Sequence, residues 1–369
     1  MMSEAVQTII IGAGQSGLSL SYHLQQRGIR HLVLERERAF SQWYKVWDNF
    51  YMNTANWLNN LPGEPQPFAA GQPRGGLGRK ADALAYFQAY LDALDPPLIE
   101  NCPVTRVRPQ PDGTWQVDTP QAVYHTPNVA VCIGNFHRPN IPPFAAALPS
   151  SVPQLHSSRY RNPAQITTPN VFVVGSGNSG VQICDDLARA GRFERLYLAL
   201  SGNRTVPYRL LGVVPTYEIV RLLRLQDLRV DTWPVKWVVH HLEGKGDPAF
   251  HVSPKKLARA FGVRLVGRAV GVSGENVTCS DGSRVPLQDL TVLWCTGYRA
   301  DYDFIEVQPR EKAFDERGRP RHRRGVVPGC PGLFFVGLRF QSIVASHNIY
   351  GCGHDAAYIA GQIAQRLEG

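Results

Sequence analysis

Two glycine-rich hexads carry the most specific chemistry in this 369-residue chain: Gly12, Ala13, Gly14, Gln15, Ser16, Gly17 and Gly175, Ser176, Gly177, Asn178, Ser179, Gly180. Each follows a short apolar run, Thr8 to Ile11 and Val171 to Val174, and opens a helix-like segment. In such a turn the first glycine permits the tight bend and the second lets the backbone approach a pyrophosphate. The third allows close helix-to-strand packing. The helix N-terminus then presents free N–H groups and the positive end of a dipole to the phosphates. The pair predicts two dinucleotides on one chain.

The second strand of each unit distinguishes the two ligands. His31 to Leu34 ends at Glu35, 23 residues beyond Gly12 (35 − 12), close to the roughly 20 expected when an acid bonds the ribose hydroxyls. A free 2′-hydroxyl means FAD or NAD. Leu196 to Leu200 instead runs into Ser201, Gly202, Asn203 and Arg204 with no carboxylate. A hydroxyl and a guanidinium suit a 2′-phosphate, which favours NADPH. FAD beside NADPH implies hydride transfer from nicotinamide to flavin.

The elements that must position these residues form an α/β fold with two Rossmann-like dinucleotide-binding domains. Residues 1–160 and 297–369 are expected to make a discontinuous FAD domain, with an NADPH domain, residues 161–296, inserted. Prolines crowd the first seam: Pro139, Pro142, Pro143, Pro149, Pro153 and Pro163. Val129 to Ile133 followed by Gly134, Thr291 to Trp294 followed by Thr296 and Gly297, and Leu333 to Val336 followed by Gly337 read as strands that each bring a glycine to a cofactor. Gly351 to Asp355 reads as a glycine-rich start to an amphipathic C-terminal helix. Ile219 to Leu228 is expected to be helical, and Trp233 and Trp237 either cover the active site or build core.

Composition excludes several alternatives. The net charge of +9 is spread along the chain, so anionic cofactors explain it more simply than nucleic acid. The densest basic stretch, Arg317, Arg319, Arg321, His322, Arg323 and Arg324, contains Gly318 and Pro320 and reads as an exposed loop. The seven cysteines include no CxxC, which argues against a flavin-linked disulfide reductase and a zinc ribbon and fits a reducing compartment. No metal site is expected. There is no GxSxG, no signal peptide and no membrane-spanning run, so a cytoplasmic location is expected.

Taken together, these residues resemble the class B flavin monooxygenases: flavin-containing monooxygenases, plant YUCCA enzymes and, more distantly, Baeyer–Villiger monooxygenases. Phe144 to Tyr160, ending in HSSRY from His156, is similar to the family's linker; Cys295 to Tyr298 (CTGY) is similar to its ATGY, and Pro331 to Leu338 (PGLFFVGL) to its PGLYFIGL. Phe40, Ser41 and Gln42 stand where the family usually has paired glycines before Trp43. The resemblance implies that NADPH reduces FAD, dioxygen adds at flavin C4a, and retained NADP+ protects the resulting C4a-(hydro)peroxyflavin. A small soft nucleophile, an amine, a sulfide or an aromatic acid, is then oxygenated.

Aligning on Leu61 and Pro62 places the family's flavin-side asparagine at Asn53, with Asn56 as the alternative. His156 is the third catalytic candidate, for cofactor positioning at the seam or for proton transfer. The resemblance assigns Arg36, Trp43, Val104, Gly134, Gly337, His347 and Asn348 to cofactor binding along with the two hexads, Glu35, Ser201, Arg204, Thr296 and Gly297. Trp43, Trp47, Tyr51 and Trp57 are either apolar walls or core. Two rivals stay open: an NAD(P)H-dependent reductase or oxidase that passes electrons to oxygen or a protein partner, and a redox-sensing flavoprotein. The expected partners are a small-molecule substrate and dioxygen, without nucleic acid or membrane; a homodimer is left open.

Overall fold

The computed structural model describes residues 6–200, 202, 205–210, 214–242 and 249–369. The chain begins with β1 (Thr8–Ile11), α1 (Gln15–Gln25), β2 (His31–Leu34), α2 (Lys80–Leu94), β3 (Leu98–Ile99) and β4 (Asn128–Val131). It crosses into β5 (Gln154–His156), β6 (Asn170–Val174), α3 (Asn178–Arg189), β7 (Arg195–Ala199), β8 (Arg264–Val266) and β9 (Leu290–Trp294). It returns as β10 (Leu333–Phe335) and α4 (Ile349–Glu368).

Two five-stranded parallel sheets result, in the orders β10-β4-β1-β2-β3 and β8-β7-β6-β9-β5. The registers correspond: Thr8 pairs with both His31 and Asn128, and Asn170 with both Arg195 and Leu290. Runs such as TIII and NVFVV are apolar at nearly every position because a parallel sheet is covered on both faces. Alternation divides them. Ile10 joins the core under the helices, whereas Ile9 and Ile11 face Trp115 and Val117. In the second sheet Val171 and Val173 pack with Ile183 and Leu187 of α3, whereas Phe172 and Val174 pack with Val277 and Val285. Each opposite face is closed by a three-stranded antiparallel sheet, Arg106–Pro109 to Val123–Thr126 in the first and Ala269–Ser273 to Arg284–Pro286 in the second.

Three expectations need correction. The expected seam at residue 160 falls too late, because β5 pairs in parallel with β9 and so belongs to the second sheet; three residues within a proline-rich stretch give too little periodicity to reveal a strand. The helix expected over Ile219 to Leu228 is Thr216–Leu222, ended when Arg224 turns left-handed at φ 50°, followed by a 3-10 turn at Leu225–Asp227. Its last apolar residue, Leu222, is 79% exposed, so no burial holds a longer helix. Gly351 and Gly353 lie inside α4 and not before it: a Cβ at Gly351 would sit 2.0 Å from the Ala345 carbonyl oxygen, and one at Gly353 would sit 3.1 Å from Pro62. Close packing explains them. The basic stretch at 317–324 is a surface loop in which Arg319 pairs with Asp315 at 2.8 Å.

The two sheets are clamped at Asp186 of α3. Its buried carboxylate accepts from the Tyr160 hydroxyl and the Asn49 amide, each at 2.7 Å. Tyr160 is fully buried. Tyr160→Phe is expected to destabilise the protein by about 2 kcal/mol, the usual worth of a hydrogen bond to a charged group. Urea unfolding checks this, and an unchanged midpoint would contradict it.

A candidate active site between two glycine turns

Both hexads adopt the conformation their spacing implies. Gly12 and Gly175 have φ of +103° and +112°, which favours glycine, and a Cβ on either would lie within 2.9 Å of the Cys132 or Cys295 carbonyl oxygen. A Cβ on Gly17 or Gly180 would sit 1.9 Å from the carbonyl oxygen of Gly12 or Gly175. The middle glycines differ. Gly14 and Gly177 have ordinary extended backbones as the N-caps of α1 and α3, and a Cβ on Gly14 would meet nothing within 4 Å. The protein therefore needs glycine at the outer positions for its own packing, whereas Gly14 keeps a surface bare for a ligand. Both turns, with no side-chain cap on either helix, open onto one cavity of about 2390 Å³. That exceeds the usual ~300–1,000 Å³ of a small-molecule pocket and suits two dinucleotides and a substrate.

On the first side the cavity is lined by Gly12, Gly14, Gln15, Ser16, Glu35, Arg36, Trp43, Val104, Gly134, Gly337 and His347. Glu35 is buried and accepts the Ala13 N–H at 2.8 Å and the Glu37 N–H at 3.0 Å, one on each carboxylate oxygen. Those two bonds fix its direction and leave lone pairs for a diol. Gly337, at φ +90°, brings its backbone so close to Ser16 that a Cβ would lie 2.2 Å from the hydroxyl. Gly17 is enclosed by packing and lines nothing. Asn348 is the N-cap of α4 and stands outside the lining residues.

On the second side Gly175, Gly177, Asn178, Ser179, Thr296 and Gly297 line the cavity, and Gly180 is enclosed. The Asn178 amide oxygen accepts the Phe250 N–H at 2.8 Å, tying the turn to the strand Ala249–Phe250. Ser201 and Arg204 lie outside the described residues. Arg268, one residue beyond Gly267 after β8, is a cation on this wall that no motif indicated.

The three catalytic candidates separate. Asn53 lines the cavity with Trp43, Trp47 and Phe50. Asn56 does not: its amide donates to Pro73 O at 3.0 Å and accepts from the Gly78 N–H at 2.8 Å, which holds the loop between them. His156 is also turned away from the cavity. Its Nδ1 accepts the Ser158 N–H at 3.1 Å, so Nε2 carries the proton and donates to Gly297 O at 3.0 Å. With both ring nitrogens engaged, His156 secures the linker to the turn at Gly297. Tyr51 and Trp57 lie outside the lining, and Trp57 packs against the Ala55, Leu58 and Tyr217 cluster. The residues that hold Asn53 escaped sequence reasoning: Gln182, Tyr217 and His251 all come from beyond residue 161.

Burial pushes His156 below the ordinary imidazole pKa of 6.5, and does the same to His23, His31, His137, His251 and His322. Below about pH 6.5 the unfolded chain therefore binds protons that the folded chain refuses, and stability falls as the pH drops toward the lowered folded values. Each such group steepens the loss by up to about 1.4 kcal/mol per pH unit. Thermal melts from about pH 8 to pH 5 should show a Tm constant above neutrality and declining on the acid side; a flat profile would contradict this assignment.

Comparison with known proteins decides the family. Residues 9–206 match the model of the pyridine nucleotide-disulphide oxidoreductases. The uncharacterized oxidoreductase CzcO-like of Geobacillus kaustophilus is 30% identical over 364 residues, 98% of this chain and 99% of that one. The chain belongs to this oxidoreductase family. Among its relatives is a flavin-monooxygenase-type enzyme: the indole-3-pyruvate monooxygenase YUCCA8 of Oryza sativa is 24% identical over 402 residues, 98% of this chain and 91% of that one. A flavin-containing monooxygenase from Stenotrophomonas maltophilia has the same fold, with a TM-score of 0.77 at 21% identity over 99% of each chain. This oxidoreductase fold is thus a two-Rossmann α/β architecture. In this member all seven cysteines are buried and unpaired, and burial raises the pKa of Cys132 and Cys295 on the cavity wall. Among the described residues, no His, Cys, Asp and Glu cluster could hold a metal ion and no helix is long and apolar enough to cross a membrane.

Proposed function

We propose that this protein is an NADPH-dependent FAD monooxygenase that forms a C4a-(hydro)peroxyflavin and oxygenates a small, soft-nucleophile organic substrate, an amine, a sulfide or an aromatic acid. The observation that carries the reading is the Asn53 amide, presented among Trp43, Trp47 and Phe50 to the cavity onto which both glycine turns open. FAD fits the first turn, with the N-terminus of α1 facing its pyrophosphate and Glu35 its ribose. NADPH fits the second, with the N-terminus of α3 facing its pyrophosphate; the residue types of Ser201 and Arg204, which follow the second strand in the sequence, suit its 2′-phosphate. When bound, the two supply hydride transfer and oxygen activation.

The chain's own contribution is positional. Glu35, held by two backbone donors, orients the diol. His156 keeps Gly297 at the seam. Trp43, Trp47 and Phe50 keep water from the reacting centre, which a reactive oxygen adduct requires, and Asn53 offers it a neutral hydrogen-bond donor. Relay through a redox cysteine pair lacks support, because the cavity-wall thiols are buried and their pKa values raised.

The test is turnover of amines, sulfides and aromatic acids with NADPH and labelled dioxygen. One labelled oxygen in the product per NADPH consumed supports the proposal. Hydrogen peroxide equal to the NADPH consumed with all three classes overturns it in favour of an oxidase.

A further inference from the structure

We propose that Gln182 of α3 sets the orientation of the Asn53 amide and thereby decides that a donor, not an acceptor, faces the reacting centre; this rests on the monooxygenase reading above. The assignment follows from hydrogen-bond chemistry. The Tyr51 carbonyl oxygen can only accept, so the Gln182 atom 3.2 Å from it is the amide nitrogen, Nε2. The same nitrogen lies 2.8 Å from the Asn53 side chain, whose contacting atom must therefore be Oδ1. Asn53 is left with Nδ2 for the cavity that its side chain lines.

The arrangement is held from several directions. The Asn53 backbone carbonyl accepts from the Tyr217 hydroxyl and from His251 Nε2 at 2.9 Å, so the loop cannot swing to compensate for a changed partner. Gln182 is only 2% exposed, and its Oε1 is buried without a hydrogen-bond partner among the described residues. The fold tolerates that unpaired acceptor while Nε2 serves both Tyr51 and Asn53. Asp186, one turn further along the same face of α3, binds Asn49. The helix whose N-terminus opens at the second glycine turn thus holds the loop from 49 to 53 at two points and orients the amide of the flavin side. Gln182 is a positioning residue that acts through Asn53.

Gln182→Glu is isosteric but, when ionised, only accepts; Asn53 must then turn Nδ2 toward it and show Oδ1 to the cavity. Gln182→Met cannot donate at any pH and keeps the volume, and it decides the question if the Glu variant fails to fold. Two readouts are taken: the visible absorption envelope of the oxidised, resting flavoprotein with NADP+ bound, and the lifetime of the oxygen adduct. Each is measured with Asn53 intact and in an Asn53→Ala background. We expect a displaced envelope and an adduct at least about tenfold shorter-lived, with the NADPH KM moved less than about threefold. Both changes should vanish in the Asn53→Ala background, because contacting residues that act as a unit are non-additive. Changes of equal size in that background, or no change with Asn53 intact, overturn the proposal. If the unsubstituted protein forms no adduct, the monooxygenase reading falls and the resting spectrum alone decides: an Asn53-dependent displacement supports the role of Gln182, and its absence overturns it.

Discussion

Gly14→Val is expected to give a folded protein that no longer retains flavin, whereas Gly17→Val, three residues away, should give no folded protein. A Cβ at Gly14 meets nothing within 4 Å and the backbone there is extended at φ −86°, so the fold accommodates it. The cost to stability is that of a poorer N-cap, about 1 kcal/mol. The branched side chain, however, fills the surface where the pyrophosphate must lie, and flavin affinity should fall at least about 100-fold, or about 2.7 kcal/mol. At Gly17 the Cβ would lie 1.9 Å from the Gly12 carbonyl oxygen, so α1 would have to leave β1. That overpacking costs about 3 kcal/mol or more. Gly180 repeats the constraint of Gly17 at the second turn, where a Cβ would lie 1.9 Å from the Gly175 carbonyl oxygen. Thermal melts with and without added FAD, together with the flavin absorbance of the purified protein, separate the outcomes. A flavin-replete Gly14→Val protein would refute the assigned ligand surface.

Asn53→Ala should uncouple the enzyme. NADPH oxidation should persist within about threefold, while oxygenated product falls at least about 100-fold, the usual loss when one preorganised donor is removed from a water-poor site. Hydrogen peroxide should account for the difference. Asn56→Ala should behave otherwise, because its side chain holds the Pro73–Gly78 loop and not the cavity. It should lower the melting temperature and leave the ratio of product to peroxide unchanged. If Asn56→Ala uncoupled the enzyme and Asn53→Ala did not, the assignment of the two asparagines would be reversed.

The glycine turns, the strands beneath them and Glu35 were legible in the sequence because their physics is local: a bend, a close contact and a strand end lie within about 25 residues of one another. The choice between Asn53 and Asn56 was not. Both are polar residues in one irregular stretch, and only contacts to Gln182, Tyr217 and His251 show which faces the cavity. Those partners lie 129 to 198 residues away in sequence, where no periodicity connects them. The same limit hid β5, whose three residues gain strand character only from pairing with β9. For His156, residue type alone could not show that Ser158 and Gly297 engage both ring nitrogens.

The central claim is that the cavity stabilises an oxygen adduct of flavin for transfer to a substrate. It is tested most directly by reducing the flavoprotein anaerobically with NADPH, admitting oxygen with NADP+ present, and following absorbance by stopped flow. A transient near about 370 nm that survives for seconds or longer is the predicted result, since the flavin carries the oxygen chemistry and the protein protects it. Direct return to oxidised flavin with stoichiometric hydrogen peroxide would contradict the account.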